Sequence, residues 1–235
     1  TARSRGLGDV YKRQPFIAPD YSSAWLLKDV QMEYLQEKFD KKGLMILYTA
    51  PWPGQGFYTK FPVNSVSDFS GKKLRIYSTA TQQMGSMLGF NATILPFAEI
   101  PQAFSTGLIE ALFTSPQTGI DIQAWDNTKH FTYAGAIFSK NAVVVTKKAF
   151  NALSKGDQSN MLAAAKKAEL RGWEMSAETT KKQIDILKKN GMSSKNAPDE
   201  VISKMKSIGL EMMKNWRSKA SPEANAVLDR YLSMR

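Results

Sequence analysis

The residue with the most chemistry to offer is an arginine in a short alternating run. In KLRIYS (73–78), Leu74 and Ile76 face one way and Arg75 and Tyr77 the other. A guanidinium at a strand end can grip a carboxylate through two parallel hydrogen bonds. The competing role for such a residue is a strand-edge pair with a surface acid. A second group lies in FTSPQTGID (113–121), where Thr114, Ser115, Gln117 and Thr118 crowd a predicted strand-to-helix turn. Open α/β sheets bind ligands at the C-terminal ends of their strands. Ser115 or Thr118 could also simply cap the following helix, whose N-terminus favours an anion in any case. A third group is PWPGQGFYTK (51–60), in which Trp52, Phe57 and Tyr58 stand among glycines and prolines. They form either an aromatic wall for a ligand or plugs of the core.

Other chemistries are excluded or unsupported. The chain has no cysteine, so there is no disulfide, thiol nucleophile or cysteine-ligated metal. With one histidine, His130, a histidine-rich metal site is impossible. His130 reads as part of a solvated helix end. There is no GxGxxG, phosphate loop or GxSxG elbow, and Asp121 and Asp126 do not share one helix face closely. No cofactor, metal or catalytic residue is expected, which favours a binding protein over an enzyme.

The elements that must position these residues alternate. Residues 22–42 carry apolar side chains at three- and four-residue steps and predict a helix ended by Gly43. Strands are expected at 44–50, 73–78, 92–97 and 108–115, with a loop over 51–63. Helices are expected at 79–90, 98–107 and 118–131. A strand turning into a helix is expected over 141–153. A long helix, capped by Ser154 and Asp157, should span 158–190, with two more over 198–216 and 221–234 that start beside Pro198 and Pro222. The alternation argues an α/β fold with right-handed crossovers and a helix-only tail.

The composition of the 235 residues is that of an ordinary globular protein, but the net charge is +11. That charge is segregated: residues 1–14 hold +3, residues 15–146 are neutral and residues 147–235 hold +8. Residues 1–14, TARSRGLGDVYKRQ, lack the apolar stretch of a signal peptide and any periodicity. They read as an artefactual join to a truncated reading frame, with a flexible basic arm as the alternative. Lys181, Lys182, Lys188 and Lys189 share one helical face, so a nucleic-acid or anionic-surface binding module is the alternative function. No apolar run approaches the roughly 20 residues of a membrane span.

Three stretches in series, PVNSVSDFSGKKLRIYS, LGFNATILPFAEIPQAFSTGLIEALFTSPQTGID and NAVVVTKKAFNALS, resemble the solute-binding proteins of tripartite ATP-independent periplasmic (TRAP) transporters, the DctP-like family. The likeness runs over 15–235. It implies a two-lobed α/β fold, periplasmic-binding-protein-like (type II-like), with long C-terminal helices. On it, 15–52 is a remnant of lobe I, 53–138 is lobe II with the carboxylate-binding arginine, 139–180 returns to lobe I and starts the linking helix, and 181–235 forms the C-terminal helices. It implies a periplasmic location, with the signal peptide and the first strands of one lobe missing before PFIAPDYSSAW. The implied partners are a small organic acid and the membrane subunits of a TRAP transporter, with no nucleic acid. Arg75 occupies the place of the family's carboxylate-gripping arginine. Thr114 stands where sialate-type relatives carry asparagine, with Ser115 adjacent, and Tyr58 stands where many relatives carry a second cation. The resemblance therefore implies a single carboxylate grip by Arg75, flanked by Trp52, Phe57 and Tyr58, for a monocarboxylate with an apolar or aromatic body. Tyr77 and Gln117 complete the expected ligand-binding set.

Overall fold

A computed structural model describes residues 14–235. Gln14 is buried and donates from Nε2 to the Met212 carbonyl (3.2 Å), so it belongs to the folded body rather than to an arm. The rest of that expectation, 1–13, lies outside the described residues. Asp20 opens helix α1 (Tyr21–Asp40) by accepting from Ser23 N (2.7 Å). Gly43, at φ 68°, turns the chain into β1 (Leu44–Pro51). Then follow β2 (Gly56–Thr59), β3 (Lys73–Ile76), α2 (Thr79–Met87), β4 (Asn91–Ile94), α3 (Ile100–Ser105), β5 (Ala111–Thr114), α4 (Pro116–Asp121), β6 (His130–Tyr133) and β7 (Lys140–Thr146). The remainder is α5 (Lys147–Asn151), α6 (Lys155–Lys189), β8 (Ser193–Asn196), α7 (Asp199–Arg217) and α8 (Pro222–Met234).

The strands form two sheets. A six-stranded sheet runs β4-β3-β5-β2-β6-β8, and β1 pairs with β7 in a separate antiparallel ladder. β3 is parallel to both neighbours, while β2 is antiparallel to β5 and β6. Because side chains alternate across a strand, the large sheet has a separate core on each face. Phe57, Leu74, Ile76 and Phe113 join Met84 of α2 and Val201, Met205 and Ile208 of α7 on one face. Tyr58, Leu112 and Phe131 join Ile100 and Phe104 of α3 and Leu187 of α6 on the other. Helix α6, about 50 Å long at 1.5 Å per residue, packs on β1 of the small sheet and on α4 and β8 of the large one.

Three segments differ from the sequence-based expectation. GFYT lies in the loop expected over 51–63 but forms β2, a fully buried strand near the middle of the sheet. The helix expected over 118–131 stops at Asp121; Gln123 is left-handed (φ 48°), a single 3-10 turn follows, and His130 opens strand β6 instead of ending a helix. The tail is not helix-only, since SSKN forms β8 beside β6.

A buried charge network ties α1, β1 and α6 together. Lys28 is almost fully buried, with Nζ 2.6 Å from Asp29 Oδ1, 3.3 Å from Glu169 Oε2 and 3.8 Å from the Trp25 ring centroid. Glu169 Oε1 also accepts from Thr49 N (2.9 Å) and Thr49 Oγ1 (2.7 Å). Burial alone pushes the Glu169 carboxyl up, but the Thr49 hydrogen bonds and the Lys28 charge together hold it below its ordinary value. A depressed folded-state pKa gives stability that is present above the unfolded value near 4.5 and lost as pH falls through the folded one. Glu169→Ala should therefore cost about 1–3 kcal/mol at neutral pH, because it leaves the Thr49 N–H without this acceptor and buried Lys28 with Asp29 as its remaining carboxylate partner. Urea denaturation over a series of pH values from about 7 downward checks this; the penalty should shrink as the pH falls through the folded-state pKa of Glu169 and the parent loses the carboxylate as well.

Candidate functional site

Arg75 sits at the C-terminal end of β3, 5 % exposed. Leu74 and Ile76 lock the strand into the core, and the intervening residue is thereby aimed to the opposite face. Its Nε and Nη2 both donate to the Leu95 carbonyl, at 3.1 and 3.0 Å. This backbone fork fixes the guanidinium plane and leaves Nη1 and one Nη2 hydrogen for another acceptor. Burial pushes the Arg75 pKa below the ordinary guanidinium value, yet the group stays charged. Among the described residues no carboxylate pairs with it.

Arg75 faces a cleft of about 190 Å³ whose walls come from both sheets. Thr114 and Ser115 lie at the end of β5, next to β3. Ser115 caps α4, its Oγ accepting from Thr118 N (3.2 Å), and Thr118 also lines the cleft. Trp52, Gln55 and Ser139 come from the segments that carry the chain between the small sheet and the large one, and Lys140 is the first residue of β7. Those segments run side by side, with Trp52 N donating to the Ser139 carbonyl (2.7 Å) and Gln55 N to the Ile137 carbonyl (3.2 Å). Tyr77 Oη donates to Gln55 Oε1 (2.6 Å), and Gln55 Nε2 donates to Ser139 Oγ (3.1 Å). The cleft therefore offers hydrogen-bond donors and two cations beside aromatic surface, a lining suited to a small anion. Among the described residues no three His, Asp or Glu side chains meet as a metal site would need, and no helix is long and apolar enough to cross a membrane.

Residues 11–219 match the family model of the bacterial extracellular solute-binding proteins, family 7 (DctP). The chain belongs to that family. DctP-family proteins bind solutes for transport and are not enzymes. Among solved structures, a Bordetella pertussis extracytoplasmic solute receptor binding pyroglutamic acid is 37% identical with a TM-score of 0.89, over 92% of this chain and 72% of that one. A second such receptor from the same organism is 33% identical with a TM-score of 0.91, over 96% and 76%. A marine metagenome TRAP solute-binding protein specific for pyroglutamate is 31% identical with a TM-score of 0.89, over 95% and 73%. These neighbours carry the two-lobed fold expected here. A curated solute-binding protein of Chromohalobacter salexigens is 24% identical over 179 residues, and the chain spans about half of that relative's length.

Within this DctP-family chain the structure sorts the expected site residues. Arg75, Tyr77, Thr114, Ser115 and Trp52 meet in the cleft. Phe57 and Tyr58 do not: both are fully buried, on opposite faces of β2, Phe57 among Phe69, Phe90 and Phe113 and Tyr58 against Phe131. The aromatic flank is instead Trp52, Tyr77 and Phe97. Tyr58 supports the site from behind, donating to the Ser115 carbonyl (3.2 Å) in a setting where burial pushes its phenol well above the ordinary value. Gly119 makes that approach possible, since a Cβ there would lie 2.0 Å from the Tyr58 hydroxyl. Gln117 points to α6, accepting from Gln183 Nε2 (2.9 Å) and donating to Asp121 (2.7 Å).

Sequence reasoning missed Gln55, Phe97, Ser139, Lys140 and Asn141. The available signal was SKN, a polar run just ahead of the apolar AVVVT. Lys140 gives the cleft a second cation where one was expected, and it is 9 % exposed. The lysines at 181, 182, 188 and 189 lie on the exposed side of α6, while Gln183 and Leu187 face inward.

Proposed function

We propose that this chain is the ligand-capturing part of an extracytoplasmic receptor for a small organic monocarboxylate of the pyroglutamate type, delivered to the membrane subunits of a TRAP transporter in the periplasmic compartment. The observation that carries the reading is Arg75: a buried guanidinium, held by a backbone carbonyl, facing a cleft with no carboxylate partner among the described residues. An unpaired buried cation is costly, and a ligand carboxylate relieves that cost. Two Bordetella receptors and a metagenomic one, all above 30% identity, support pyroglutamate as the class of ligand. In this reading residues 53–138 carry most of the carboxylate site. The ligand bridges the two walls of the cleft and favours the closed state by touching both.

Isothermal titration of the 235-residue chain with pyroglutamate tests the reading. Saturable one-to-one binding is expected. At a ligand concentration a hundred times the Kd, the chain should gain about 2.7 kcal/mol, or about 5–10 °C in Tm. Binding of a neutral sugar with no response to any carboxylate would overturn it.

A further inference from the structure

We propose that Ser139 donates a hydrogen bond to a second acceptor on the ligand, a carbonyl oxygen apart from the carboxylate, and so selects carboxylates that carry one. The inference rests on the carboxylate reading of the cleft. It comes from the polarity of a three-residue relay. A glutamine side chain has one accepting end and one donating end. The Tyr77 hydroxyl occupies the accepting end of Gln55 at 2.6 Å, and the donating end of Gln55 meets Ser139 Oγ at 3.1 Å. Ser139 therefore accepts from Gln55, and its own hydrogen must go elsewhere. Among the described residues nothing accepts it, and Ser139 lines the same cleft as Arg75. Gln55 is itself 3 % exposed, and its amide is held between the two hydroxyls at 2.6 and 3.1 Å. The relay joins residues from three places, before β2, after β3 and before β7, and turns Ser139 into a fixed donor at a distinct position from the guanidinium. A carboxylate satisfies Arg75. A carbonyl on the body of the same ligand, as in a lactam or a keto acid, satisfies Ser139.

The test compares three probes on the 235-residue parent and on Ser139→Ala and Ser139→Thr. The probes are pyroglutamate, its ketone analogue with carbon in place of the ring nitrogen, and cyclopentanecarboxylate, which has the ring and carboxylate but no ring carbonyl. Ser139→Ala should weaken pyroglutamate and the ketone analogue about tenfold, the scale of one hydrogen bond, and leave cyclopentanecarboxylate within about twofold. Ser139→Thr keeps the hydroxyl and should keep the parent's preference. Equal weakening of all three probes, or of none, would overturn the role of Ser139. Weakening of pyroglutamate alone would also overturn it, because the ring N–H and not the carbonyl would then be the group read. A parent chain that binds none of the probes would instead overturn the carboxylate reading on which the inference stands.

Discussion

Arg75→Ala is expected to lower carboxylate affinity by at least about thirtyfold while leaving the fold intact. Removing one partner of a buried, hydrogen-bonded charge pair costs about 2–5 kcal/mol, and the cleft's remaining cation, Lys140, enters from the other wall. The fold should survive because the contacts that build β3 are made by Leu74 and Ile76 on the opposite face. The free protein should lose little. Among the described residues Arg75 donates only to the Leu95 carbonyl, and loss of the side chain also removes a desolvated charge. Arg75→Lys should fall between parent and alanine: it keeps the charge but gives up the planar fork that binds Leu95 and the ligand together. Calorimetric titration alongside thermal denaturation separates the two effects. An alanine variant that binds pyroglutamate as tightly as the parent would remove Arg75 from the site, and a variant that fails to fold would make it a structural residue.

What could be read before the structure depended on how local the signal was. Arg75 was legible because a period-two pattern needs only four residues and puts an isolated guanidinium on the face away from Leu74 and Ile76. The caps Ser154 and Ser115 were legible for the same reason. β2 was not, because a strand buried on both faces has no polar alternation, and its GFYT lies among glycines and prolines that signal a loop. β8 escaped by the opposite route, as a polar edge strand whose pairing with β6 supplies the structure that its side chains do not announce. At the cleft, the turn after β5 displayed four polar residues, but which of them face the cleft depends on where α6 crosses. Gln183 of α6 claims Gln117, leaving Thr114, Ser115 and Thr118 to the cleft. Lys140 and Ser139 reach the site from the return segment, more than sixty residues after Arg75 in the chain. Only the tertiary path brings them opposite it.

Phe57→Ala is expected to cost about 3–5 kcal/mol of stability, the range for emptying a fully buried phenylalanine site. Its ring centroid lies 4.9 Å from that of Phe69, 5.9 Å from that of Phe90 and 4.9 Å from that of Phe113. β2, which carries it, pairs with strands on both sides, so the cavity cannot close by shifting an edge strand. At about 2–4 °C per kcal/mol for a chain of this size, Tm should drop by about 6–20 °C. Ligand affinity, measured well below that Tm, should stay within a few fold of the parent, because Phe57 faces the core shared with α2 and α7 and lies outside the cleft lining. The reverse outcome, affinity lost at unchanged stability, would return Phe57 to the ligand and mean that β2 presents its other face to the core. That alternative also has a consequence at the next residue. A strand turned over by one position would carry Tyr58 into the core of α2 and α7 and break its bond to the Ser115 carbonyl. Phe57→Ala thus tests the register that holds the Thr114–Ser115 turn beside Arg75.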